Sequence, residues 1–108
     1  MIKVVNKHHG EQGEYIGRGS PLGNPFTHMK GTKARWIVAT REEAVARYRD
    51  WLRDQLLEKN PAIIAELRRL MELAEKGDLN LKCFCAPKAC HGDVIKEFLD
   101  AYLERKKK

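Results

Sequence analysis

Long apolar runs are missing from this chain, and no stretch approaches the ~20 consecutive apolar residues that a membrane-spanning helix requires, so no membrane association is expected. The opening residues, MIKVVNKHHGEQG, lack the apolar centre of a secretory leader. The expected location is therefore the cytosol. Cysteine is scarce as well: there are three, an odd number, all between positions 83 and 90, where a disulfide framework would staple almost nothing. Thiol or metal chemistry in a reducing compartment fits that placement better. There is also no internal repeat, no low-complexity segment beyond the final lysines, and no helical motif of the kind that reads DNA.

With 108 residues, 43% apolar and 33% charged, the chain has the size and balance of one compact domain spanning 1–108. The net charge of +6 favours an anionic partner, although four basic residues form a terminal tail at 105–108 and the excess without them is only +2. That tail reads most simply as a solvated helix end suited to the helix dipole.

The elements follow from hydrophobic periodicity. Ile2–Asn6 is β-prone, Tyr15–Ile16 is a candidate for a brief strand, and Trp36–Ala39 reads as a third. Between Gly10 and Phe26 lie five glycines and two prolines, the composition of a loop with defined turns. Thr40 and Glu43 match a capping box, opening a helix from Arg41 toward Lys59 with Ala44, Val45, Tyr48, Trp51, Leu52 and Leu56 at helical spacing. Asn60-Pro61 starts a second helix, which Gly77 closes. Leu79–Cys85 alternates as a strand, placing Leu79, Leu81, Cys83 and Cys85 on one side, and a last helix runs from about Gly92 to Arg105. The expected fold is a small α/β domain: a short, mainly parallel sheet packed with three helices in the order β-(β)-β-α-α-β-α. Trp36 and Trp51 are expected as core anchors. Exposed edges of so short a sheet would also let two chains pair as a homodimer.

Two loops carry the chemistry. In Cys83-Phe84-Cys85-Ala86-Pro87-Lys88-Ala89-Cys90-His91-Gly92-Asp93, the strand-to-helix turn holds every cysteine. Three chemistries compete for it. Cys83, Cys85, Cys90 and His91 are a candidate tetrahedral zinc set, although C-x-C-x4-C-H departs from the common C-x2-C spacing; Cys83 is otherwise a small buried hydrophobe. Cys90, at a helix start beside His91, is a candidate thiolate nucleophile. The helix start would also hold a phosphate on the Gly92 backbone, with His91 and Asp93 as proton carriers. The plainer role of Asp93 is a helix-start carboxylate that suits the dipole. The second loop, Arg18-Gly19-Ser20-Pro21-Leu22-Gly23-Asn24-Pro25-Phe26, suits a rigid polar wall: Arg18 forks onto phosphate, Ser20 and Asn24 hydrogen-bond, Gly23 lets the backbone come close, and Phe26 stacks or enters the core. His8, His9 and His28 read as solvated.

With these motifs in view, the chain resembles a family of uncharacterised small domains of bacteriophages and bacteria. The likeness rests on YIGRGSPLGNPF (Tyr15 to Phe26), on AxxRYRDWL (Ala44 to Leu52) and on LKCFCAPKACHGDVI (Leu81 to Ile95). It implies a phage or bacterial cytosol and a shared pocket between the two loops, with no reaction attached. The expected function is the binding, or the hydrolysis or sequestration, of a nucleotide or other phosphate-bearing small molecule. The alternative is a zinc-stabilised, non-enzymatic module that binds nucleic acid or a host protein.

Overall fold

The computed structural model of the chain describes residues 1–6, 12–17, 19–27, 36–83 and 90–106. The elements are β1 (Ile2–Asn6), β2 (Glu14–Tyr15), β3 (Phe26–Thr27), β4 (Trp36–Ile37), α1 (Arg41–Leu57), α2 (Pro61–Lys76), β5 (Leu79–Cys83) and α3 (His91–Lys106). This is the expected α/β arrangement with one further short strand, β3.

β5 is the centre of a three-stranded, wholly parallel sheet in the order β1-β5-β2. Ile2 faces Leu79 across the β1–β5 pair and Asn6 faces Cys83, while Glu14 and Tyr15 of β2 stand beside Leu81 and Lys82. The Ile16 N–H extends the second pairing by donating to the Lys82 carbonyl at 3.0 Å. Alternation along β5 buries Leu79, Leu81 and Cys83 and leaves Asn80 and Lys82 partly exposed. One face of the sheet therefore meets the helices, as the period-two pattern requires.

The helices begin where their caps dictate. Thr40 Oγ1 accepts from the Glu43 N–H at 3.1 Å, while Glu43 reaches back to the N–H of Ala39 rather than that of Thr40. The Asn60 side chain accepts from the Ala62 N–H, and Pro61, with no N–H to lose, occupies the first position of α2. α1 stops at Leu57, two residues earlier than expected, and Lys59 takes a left-handed φ of 57° in the tight connection to α2.

A single core joins these layers: Tyr48 and Leu52 from α1, Ile63, Leu70 and Met71 from α2, and Val94, Ile95 and Leu99 from α3 close over Ile2, Leu79, Leu81 and Cys83. Ile16 and Leu22, from the glycine-rich stretch, belong to the same core. Each fully buried aliphatic side chain contributes roughly 1.5–3 kcal/mol, so these two anchor the ends of an otherwise irregular segment.

The third expected strand is placed differently. Trp36–Ile37 does not join the main sheet; it pairs in parallel with β3, Phe26 beside Trp36 and Thr27 beside Ile37, as a separate two-stranded sheet. Trp36 is accordingly not a core anchor but 43% exposed, whereas Trp51 packs against the core with its ring 5.5 Å from that of Tyr48.

Candidate functional site

All three strands of the main sheet run the same way, so Asn6, Ile16 and Cys83 lie at one edge, the carboxyl edge. In open parallel sheets ligands gather there, because strand ends, loops and helix starts converge at that edge. Both motif segments lead to it. The 16–26 segment follows β2 in the sequence, and α3 begins at His91, after β5 has ended at Cys83.

Buried hydrogen bonds tie the two segments together. His91, 8% exposed, places Nε2 2.6 Å from the carbonyl of Ile16, and because a carbonyl only accepts, the proton sits on Nε2. The Tyr48 hydroxyl donates to the carbonyl of Leu22 at 2.6 Å, and its ring meets the edge of the His91 ring at 5.1 Å. Burial, followed by the neighbouring Cys90, pushes the Tyr48 phenol well up from its ordinary value, so it remains a donor. Tyr48 thus bridges both motifs from α1. A spacing argument reads it only as one member of an apolar stripe, but a buried tyrosine needs a partner for its hydroxyl, and that need is the signal that could have found it.

The helix start is self-satisfied. Cys90 Sγ accepts from the Gly92 N–H at 3.3 Å, and Asp93 Oδ2 accepts from the Cys90 N–H at 3.1 Å. This is the reciprocal logic of a capping box with a thiol in the hydroxyl's place. The Gly92 backbone expected to hold a phosphate donates inward instead. The role of Gly92 is close packing: a Cβ there would stand 2.9 Å from both Ile16 Cδ1 and Val4 Cγ1. Asp93, although exposed, holds the cap.

Cys83 and Cys90 are both buried, with their sulfur atoms 3.1 Å apart. That contact, and then desolvation, push the Cys90 thiol far up, the opposite of what a thiolate nucleophile requires. Cys85, the remaining cysteine of the zinc set, lies outside the described residues, as does Arg18. Among the described residues no three or more of His, Cys, Asp and Glu are grouped to hold a metal.

In the other loop, Asn24 is committed at both ends of its amide: Oδ1 accepts from the Phe26 N–H at 2.9 Å, and Nδ2 donates to the Ala44 carbonyl at 3.4 Å. The Gly23 N–H closes a turn onto the Ser20 carbonyl at 3.1 Å. Ser20 differs. Its Oγ is buried and has no hydrogen-bond partner among the described residues, so its hydrogen-bonding capacity is unspent there. Two concavities lie elsewhere, a groove of about 870 Å³ among the three helices and one of about 630 Å³ at the start of β1.

A family model described as Domain of unknown function (DUF4326) matches residues 3–101. No curated protein and no solved structure matches the chain.

Proposed function

Because the chain belongs to the DUF4326 family, whose description names no activity, we propose from its site that it binds a nucleotide or nucleotide-derived anion at the carboxyl edge of the parallel sheet. The observation that carries this reading is the meeting of the two motif segments at that edge, joined by the His91–Ile16 and Tyr48–Leu22 hydrogen bonds. The roles of the residues divide. Asn24, Cys90, His91 and Gly92 build the frame, since their polar groups are bonded within the chain. Arg18 neutralises the phosphate and the Ser20 hydroxyl, which has no partner among the described residues, donates to it. Hydrolysis, if it follows binding, falls to the Oδ1 side of the exposed Asp93 carboxylate, because Asp93 Oδ2 accepts from the Cys90 N–H and His91 Nε2 is committed to Ile16. The excess of positive charge suits an anionic ligand. The setting is the cytosol of a bacterium, with the gene carried by the host or by a phage.

Calorimetric titration with a panel of nucleoside mono-, di- and triphosphates tests the proposal. Binding by at least one, weakened tenfold or more in Arg18→Ala, is the expected result; a panel without binding at millimolar concentration overturns it.

A second reading, a zinc-stabilised module, draws on the sulfur pair at 3.1 Å, since two of its four ligands are already adjacent. Elemental analysis of the purified protein decides: one zinc per chain, with unfolding on chelation, supports the module, and a metal-free chain of unchanged melting temperature removes it.

A further inference from the structure

The groove of about 870 Å³ in the helix layer has an apolar floor and a charged rim. Leu67 and Met71 of α2 and Phe98 and Tyr102 of α3 line the floor, and Tyr102 is 53% exposed. The two helices run side by side in the same direction. Lys106, at the end of α3, donates to Glu75, near the end of α2, at 2.8 Å, and both helix ends lie beside Met1 and Ile2 at the start of β1. That is the sheet edge opposite the anion site, so the groove stands apart from it.

The charges on the rim follow a self-complementary order. On α3, Glu97, Ala101 and Arg105 recur at every fourth residue and form one stripe along the groove, an acid before the small residue and a base after it. On α2 the order is reversed, with Arg68 before Glu72. Counted back from the Glu75–Lys106 pair at the same rise per residue, Ala101 is about level with Leu70, the midpoint between Arg68 and Glu72. A two-fold axis lying in that surface and crossing both helices at this level turns each helix antiparallel onto its own copy. Glu97 then faces Arg105 of the second chain and Arg68 faces its Glu72, each pair formed twice by symmetry. Arg68, Glu72 and Arg105 make no ion pair among the described residues, while Glu97 meets Arg49 at 3.0 Å with both side chains about half exposed, a contact that contributes little by itself.

We propose that the α2–α3 groove is the interface of a homodimer, in which a second copy of the chain packs α3 antiparallel on α3 across Ala101 and covers Tyr102. The rim decides the occupant. Its three acids, Glu72, Glu75 and Glu97, balance its three bases, Arg68, Arg105 and Lys106, so it favours neither an acidic nor a basic partner, whereas its order matches its own rotation. The small side chain of Ala101 at the crossing point lets the two helices approach closely.

Sedimentation velocity of the full chain, from micromolar to sub-millimolar concentration, tests the proposal. The expected result is a concentration-dependent approach to twice the 12.5 kDa mass of one chain. Glu97→Arg and Arg105→Glu each set like charges face to face twice per dimer and are expected to weaken association about tenfold or more, while the two substitutions in one chain restore it. An equimolar mixture of the two single variants is expected to form a mixed dimer at concentrations where each alone is monomeric, because the facing residues are again opposite in sign. Both positions are exposed, so each variant should keep the wild-type melting temperature at monomeric concentrations. A wild-type chain that stays monomeric throughout overturns the proposal and leaves the groove to a different protein. A dimer indifferent to both substitutions overturns this face as the interface, and a mixture that associates no better than its components overturns the antiparallel pairing of α3.

Discussion

The buried junction at the carboxyl edge and the β3–β4 surface are built from different residue types, each put to the use opposite to the one its chemistry suggests. At the junction, Tyr48, His91, Cys83 and Cys90 have less than a tenth of their surface exposed, and their polar atoms bond to the chain itself. At the surface, Trp36 and Phe26 stack on each other with much of the indole exposed. Histidine, cysteine and tyrosine near a loop suggest chemistry, and tryptophan in a strand suggests core, yet here the reactive types hold the fold together and the apolar type faces outward. What separates the two uses is where the hydrogen bonds end, a property of tertiary contact.

The contrast breaks most readily at Tyr48. Replacing it with alanine empties a fully buried aromatic site and removes the donor to Leu22, with an expected loss of ~3–5 kcal/mol, read as a large fall in melting temperature or failure to fold; Tyr48→Phe keeps the packing and is expected to cost about 1–3 kcal/mol for the carbonyl left unpaired. A near-neutral Tyr48→Ala would show that the two motifs are not joined through α1. Gly92→Ala comes next. Its Cβ would press on Ile16, Val4 and Cys90, and overpacking of this kind costs typically ~1–3 kcal/mol. Denaturant melts that place Gly92→Ala beside the wild type would show that the backbone at this position is not closely packed against Ile16 and Val4.

The junction also predicts a pH response. The Cys90 thiol and the Tyr48 phenol are both raised in the folded chain from ordinary values of 9.0 and 10.0. An unfolded chain would release these protons first as the pH climbs through those ordinary values. The folded state then binds more protons than the unfolded one, and stability falls as pH rises. Melting temperature should therefore hold near neutrality and decline above about pH 9, with a shallower decline in Tyr48→Phe; a flat profile through that range would mean that neither group is buried as described. The smallest effect belongs to the surface: Trp36→Ala should cost under about 1 kcal/mol, as exposed substitutions generally do. If it destabilises more than Gly92→Ala, the contrast between the regions is wrong.

Much of the architecture was legible because local rules and tertiary packing agree. Alternation placed Leu79, Leu81 and Cys83 on one face, and the Thr40 and Asn60 caps began their helices where side chains of that type accept from the next turn. The site was harder to read. Cys90, Gly92 and Asp93 have the composition of an anion-binding helix start, and the same composition serves a cap; only the inward bonds from the Gly92 and Cys90 N–H groups distinguish the two. Trp36 reads as core because its apolarity is visible in the sequence, whereas its pairing with Phe26 instead of the main sheet is not.

Periodicity and capping chemistry determined the helices, the strands of the main sheet and the burial of one of its faces, because those depend on neighbours a few residues apart. Partnership across the chain was decided by the tertiary structure alone. His91 meets the carbonyl of Ile16, 75 positions away, and Tyr48 meets that of Leu22, 26 positions away. A side chain's capacity to bond is written in its type, but whether that capacity is spent internally depends on which distant backbone group the fold brings within reach.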